Sequence, residues 1–148
     1  MTDDRPLLQS ARAASEGDGK TVLDQEFGAA NLSGLREAVR RCASAAGLGS
    51  DRAIDVMIAM HELAANVVRH GAGRGRLRME VTSRSLHCQV SDTGSGLADA
   101  FRRSSPPSSW PVEHGHGLWL VRRTADQVQV ATGAAGSVVS VTFLLPAQ

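Results

Sequence analysis

Three short segments of this chain hold residue types that can act together. Glu62-Leu63-Ala64-Ala65-Asn66 sets a carboxylate and an amide four residues apart, which on a helix puts both on one face, about one turn apart. Asp92-Thr93-Gly94-Ser95-Gly96 places an acid at the end of an alternating apolar run and continues into a glycine turn. Gly115-His116-Gly117 stands directly before the apolar run Leu118-Trp119-Leu120-Val121. Glycines in that position let backbone N–H groups point at phosphate oxygens from a helix N-terminus.

Asp92 is the sharpest of these. Leu86, Cys88 and Val90 alternate toward one face, and Asp92 is next in that series. An acid aimed at the core is costly unless a donor satisfies it. Capping the turn that follows is one answer, and meeting an exocyclic amine such as that of adenine is another. Gly94 and Gly96 would let the backbone take positive φ and approach a flat ring. On the helix, Glu62 and Asn66 read either as a solvated polar stripe, continued by His70, or as a working pair. In the second reading Asn66 offers an amide oxygen to Mg²⁺, a hard ion that keeps several waters. Glu62 then orients or deprotonates an attacking hydroxyl or water. His61 lies off this stripe and reads as a partly buried helix residue. The phosphate-loop string G-x-x-x-x-G-K-[ST] is absent, and Gly115-His116-Gly117 is too short for a dinucleotide fingerprint. Taken together, the three segments point to binding a nucleotide and moving its terminal phosphoryl group.

The elements that must position them can be read from periodicity. Thr21 to Phe27 alternates as a first strand. Leu35, Val39, Cys42, Ala43 and Ala46 recur at helical spacing after Leu32, and Gly47 and Gly49 end that helix. A second helix spans about 51–70, with Ile54, Met57, Ile58, Ala65 and Val68 expected to face inward, and Gly71, Gly73 and Gly75 stop it. Two strands follow, through Leu77, Met79 and Val81 and then Leu86, Cys88 and Val90. Periodicity vanishes between Leu97 and His114, where Ser104-Ser105-Pro106-Pro107-Ser108-Ser109 reads as a mobile loop. A helix from Gly117 to about Asp126 and strands 128–132 and 138–145 close the chain. Adjacent strand pairs, partly segregated from the helices, favour an α+β two-layer sandwich with a mixed or antiparallel sheet covered by helices on one face. Residues 1–19 read as a loose N-terminal arm and 20–148 as one domain.

Composition narrows the class. The chain has 148 residues, enough for one domain with its own core. Its formal charge is +1, from 16 basic and 15 acidic residues, whereas nucleic-acid binders usually carry a clear basic surplus. Cys42 and Cys88 show no metal or disulfide spacing and fall at apolar positions, so buried reduced thiols are expected. No apolar run is long enough to cross a bilayer and the first twenty residues lack a signal-peptide core, so a cytoplasmic protein is expected.

In this arrangement the chain resembles the GHKL ATPase superfamily, which includes gyrase-type ATPases and histidine-kinase catalytic domains. Glu62 to Asn66 is similar to that family's N-box, Asp92 to Gly96 to its first glycine box, and Gly115 to Gly117 to its second. Gly136-Ser137 with the following strand looks like the last box, where a hydroxyl helps hold the adenine; Ser137 stands where threonine is commoner. The likeness covers about residues 20–146. Within the superfamily the chain most resembles single-domain bacterial anti-sigma factors that are also serine/threonine protein kinases. The shared strings are Glu62 to Gly71 and Gly115 to Arg123, with His116 where arginine is commoner.

The resemblance implies that Asp92 takes the adenine amine, that Gly94, Gly96 and Ser137 shape its pocket, and that Gly115, His116, Gly117 and Leu118 cradle phosphates. It implies that Asn66 holds Mg²⁺ and Glu62 is the catalytic base, with the loop 98–114 as a lid that Trp110 could report by fluorescence. ATP and Mg²⁺ are the implied cofactors. The implied partners are an anti-anti-sigma (STAS-type) protein, which is phosphorylated, and a sigma factor, which is sequestered; a homodimer is also implied. Three alternatives stay open: a nucleotide-gated binder without turnover, a histidine-kinase fragment, and a metal site from His87, Cys88, His114 and His116. A histidine-kinase fragment is expected to carry an upstream phospho-accepting hairpin, which the expected arm 1–19 is too short to hold, and the metal spacing fits no zinc pattern.

Overall fold

A computed structural model of the chain describes residues 19–94 and 116–147. The expected arm before Gly19, the lid 98–114 with Trp110, and the glycines Gly96 and Gly115 lie outside these residues. The described chain runs β1 (Lys20–Phe27), a 3₁₀ turn (Ala29–Asn31), α1 (Leu32–Ala45), α2 (Ser50–His70), β2 (Gly75–Val81), β3 (Ser85–Asp92), α3 (His116–Thr124), β4 (Gln127–Gly133) and β5 (Gly136–Leu144).

Five strands form one sheet in the order β1-β2-β3-β5-β4, and every pairing is antiparallel. The α+β expectation therefore holds, with its sheet antiparallel among the described residues. Cross-strand partners share a face, and this sorts the side chains. Leu77, Val90 and Val139 form one inward row, and Met79, Cys88 and Val141 the next. All six are fully buried, under Leu35 and Val39 of α1 and Val56, Met60 and Leu63 of α2. The next register toward the strand ends pairs Gly75 with Asp92 and Asp92 with Ser137, so the apolar rows finish on polar residues at one end of the sheet. The opposite face carries charge on its β1–β2 side, where Asp24 bonds Arg76 at 2.6 Å and Arg78 bonds Glu80 at 3.0 Å. The Arg76 guanidinium holds the Asp24 carboxyl below its ordinary pKa.

Two expectations need correction. In α2 the buried side chains are Ala53, Val56, Ala59, Met60, Leu63, Ala64, Asn66 and Val67, while Ile54 and Ile58 are 41% and 42% exposed. The helix is apolar on several sides, so more than one stripe at helical spacing was available. The stripe chosen is rich in alanine, which lets α2 lie close to the sheet and to its neighbours. Cys88 is fully buried, and burial raises its thiol pKa strongly. Cys42 is only partly buried, its thiol 3.6 Å from the Val22 carbonyl. Among the described residues no helix is long and apolar enough to cross a membrane.

Candidate functional site

The end of α2 and the end of β3 are tied together by one carboxylate. Asp92 closes β3 and is 4% exposed. Its Oδ1 accepts the backbone N–H of Ala72, just past α2, at 3.1 Å and that of Gly94 at 3.1 Å. Its Oδ2 is buried and meets no donor among the described residues. A buried carboxylate oxygen left without a partner costs a few kcal/mol, on the order of 1–3 or more for a charged group. An N–H donor from a ligand would remove that cost. The exocyclic amine expected from the sequence has the right chemistry for this oxygen.

The walls around Asp92 are backbone. A Cβ on Gly71 would stand 2.1 Å from Asp92 Oδ2, and a Cβ on Gly136 would stand 2.0 Å from the Asp92 carbonyl oxygen. Ser137, the cross-strand partner of Asp92, is 1% exposed and donates its Oγ hydrogen to the Gly94 carbonyl at 3.0 Å. Gly94 is thus held on both sides, its N–H by Asp92 and its C=O by Ser137. Its φ is not positive, contrary to the sequence reading; among the described residues Gly47, Gly73 and Gly136 have that conformation. The nearest atom to a Cβ on Gly94 would be 3.8 Å away. Side-chain and strand bonds fix the turn without a left-handed residue at this position, and a Cβ there would sit at ordinary van der Waals distance from Asp92 and Ala72.

Glu62 and Asn66 form a second group, one turn apart on α2. Asn66 is 4% exposed, and its amide N–H donates to the Glu62 carbonyl at 2.7 Å. That bond fixes the amide, leaving Oδ1 as the free acceptor. The half-buried Glu62 carboxylate makes no hydrogen bond or ion pair among the described residues. Asn66 would fit as a single protein oxygen for Mg²⁺, an ion that usually keeps several waters. No group of three His, Cys, Asp or Glu side chains suited to a metal occurs among the described residues.

A cavity of about 790 Å³ is lined by Asp92, Thr93, Ser137, Gly136, Ala72 and Arg74, among others. That is ample for a nucleotide-sized ligand. Its described walls include Asp92 and Ser137 but neither Glu62 nor Asn66, and they reach round the sheet end to Arg76 and Ser91 on the opposite face. The structure therefore gathers Asp92, Gly94 and Ser137 at one locus and Glu62 with Asn66 at another. His116, Gly117 and Leu118 form the first turn of α3, which packs on α2. Gly71, the Ala72 N–H and Gly136's positive φ are site features that local reading did not assign. Their signal was present, because Gly71 directly follows a helix and Gly136 precedes the serine, but only the fold shows that both glycines abut Asp92.

His87 is committed elsewhere. On the uncovered face its Nε2 lies 3.0 Å from Ser85 Oγ and its Nδ1 2.9 Å from Thr142 Oγ1, while Cys88 points into the core. Burial lowers its pKa below the ordinary 6.5, with Glu80 opposing. The folded state therefore resists protonating this ring. Its contribution to stability is complete above the unfolded pKa and is lost as pH falls through the window below it. Urea unfolding from pH 7.5 to 5 should show wild type weakening toward acid more steeply than His87→Gln. Equal slopes would remove His87 as a source of acid sensitivity.

An antiparallel sheet under helices, with an acid at a strand end facing a glycine-walled cavity, defines the class as an α+β domain with a nucleotide-sized cavity at one end of its sheet. The chain belongs to the histidine kinase-like ATPase domain family, whose model matches residues 27–143. No curated protein sequence matches the chain. Domains of this family bind ATP, usually with Mg²⁺, which agrees with the unsatisfied Asp92 oxygen.

Proposed function

We propose that this domain is a serine/threonine protein kinase and anti-sigma factor that phosphorylates an anti-anti-sigma (STAS-type) partner and sequesters a sigma factor. The observation that supports turnover is Glu62: a carboxylate free of described partners, one turn from an amide whose nitrogen is already bonded to the Glu62 carbonyl. A module that only bound nucleotide would have no need of this pair. Asp92 holds the adenine amine, and Ser137 keeps the Gly94 turn in place beside it. Asn66 Oδ1 would hold Mg²⁺, which would supply neutralisation of the phosphate charge. Glu62 takes the proton from the partner's serine or threonine hydroxyl as that oxygen bonds to the γ-phosphorus of ATP and ADP leaves. Catalysis of this kind comes chiefly from positioning and charge stabilisation.

The test is transfer from Mg-ATP to STAS-type proteins, followed by intact mass. Wild type should add one phosphate to a partner hydroxyl, and Glu62→Ala should slow this by about a hundredfold or more while still binding ATP. ATP binding without transfer by wild type would instead favour a nucleotide-gated protein that sequesters a regulator.

A further inference from the structure

Arg52, in the first turn of α2, has no part in the chemistry above, yet it makes the longest-range polar network described in the domain. Its guanidinium donates to the carbonyl of Thr124, the last residue of α3, and to Asp126 Oδ2 at 2.9 Å. The same group lies 5.2 Å from the centroid of the Phe143 ring. Asp126 Oδ2 also accepts the Leu144 N–H at 2.7 Å, and the Asp126 N–H donates to the Thr142 carbonyl at 2.9 Å. One side chain thus joins the start of α2, the end of α3, the entry to β4 and the end of β5. Its contact with Asp55 is longer, 3.7 Å, and local, the kind of pair that contributes little.

The network matters because it fixes the C-terminal end of α3. Of its side chains from Trp119 to Thr124, only Val121 is buried, at 1% exposure. Val121 fixes one point of α3 in the core, and a second fixed point sets the helix axis. Arg52 supplies that point at the C-terminal carbonyl, where a cation is also favoured by the helix dipole. The other end of this nine-residue helix begins with His116 and Gly117. Arg52 and Asn66 sit toward opposite ends of α2, so fixing one end of α3 against Arg52 constrains where its first turn stands relative to Asn66.

We infer that Arg52 is a positioning residue for the phosphate end of the nucleotide site, acting by pinning the C-terminus of α3. The inference rests on the nucleotide reading given above. Arg52→Met keeps an apolar stem over Phe143 but removes every donor, and Arg52→Lys keeps charge with fewer bonds. Two measurements apply: hydrogen exchange of the α3 amides without ligand, and calorimetric affinity for Mg-ATP and for adenosine. In Arg52→Met the α3 amides should exchange faster. ATP affinity should fall by about tenfold, the scale on which loss of a supporting residue weakens a site, while adenosine affinity is unchanged; Arg52→Lys should fall between. Unchanged α3 exchange would overturn the inference whatever the nucleotide does. Equal losses for ATP and adenosine would also overturn it, by making Arg52 a general support of the fold. Should Arg52→Met fail to fold, Arg52→Lys carries the same comparison. Wild type that bound neither ATP nor adenosine would overturn the nucleotide reading itself, a result distinct from wild-type binding with an unaffected variant.

Discussion

Asp92→Asn is expected to cost about a hundredfold or more in ATP affinity while leaving the domain folded. The side chain keeps its size, and an amide oxygen can still accept the N–H groups of Ala72 and Gly94, now met by Oδ1 at 3.1 Å each. That choice turns the amide nitrogen to the place of Oδ2, the buried atom without a donor among the described residues. A donor then faces the adenine amine, itself a donor, so a charge-assisted bond is replaced by an unsatisfied pair. Hydrogen bonds to charged groups are worth about 1.5–3 kcal/mol and an unsatisfied buried group costs about 1–3, and about 2.7 kcal/mol corresponds to a hundredfold. Calorimetry with Mg-ATP, alongside a thermal melt, checks both halves. Wild-type affinity in the variant would mean that Oδ2 does not meet the ligand.

Gly136→Ala should act on the fold itself, lowering stability by about 3 kcal/mol or more. Gly136 has φ of 129°, a conformation L side chains rarely adopt, and its added Cβ would meet the Asp92 carbonyl oxygen at 2.0 Å, Thr93 Cα at 2.8 Å and Asp92 C at 2.9 Å. All three are backbone or Cα atoms, so no flexible side chain can swing aside. Relief requires β5 to move away from the end of β3, which strains the Ser137–Gly94 bond and the turn it holds. Urea unfolding monitored by circular dichroism gives the loss, and nucleotide affinity should fall with it. Stability within about 0.5 kcal/mol of wild type, the range of an ordinary surface change, would show that the β4–β5 turn has more room than its geometry indicates.

Much of the architecture was legible because strands and helices declare themselves locally. Leu77, Met79 and Val81, and Leu86, Cys88 and Val90, alternate at the period of a pleated strand, and the glycines after His70 stop a helix that cannot continue through them. Asp92 stood out for the same local reason, an acid at an inward register. Helix rotation was not legible in α2. With Ile54, Met57 and Ile58 as apolar as Val56, Met60 and Leu63, periodicity offers several faces, and close contact with the sheet and α1 selects the alanine-rich one.

The sequence by itself determined the element order, the α+β class, the inward acid at the end of β3 and the Glu62–Asn66 pair on one face of α2. Each follows from residue type and spacing within a few positions. Only the tertiary structure decided that Gly71, Ala72 and Gly136 wall in Asp92, that Ser137 holds Gly94 rather than standing free, and that Arg52 grips the end of α3. Those contacts join residues 20 to 74 positions apart. Nothing in a local pattern encodes them, because they exist only once buried polar atoms must find partners between the assembled sheet and its helices.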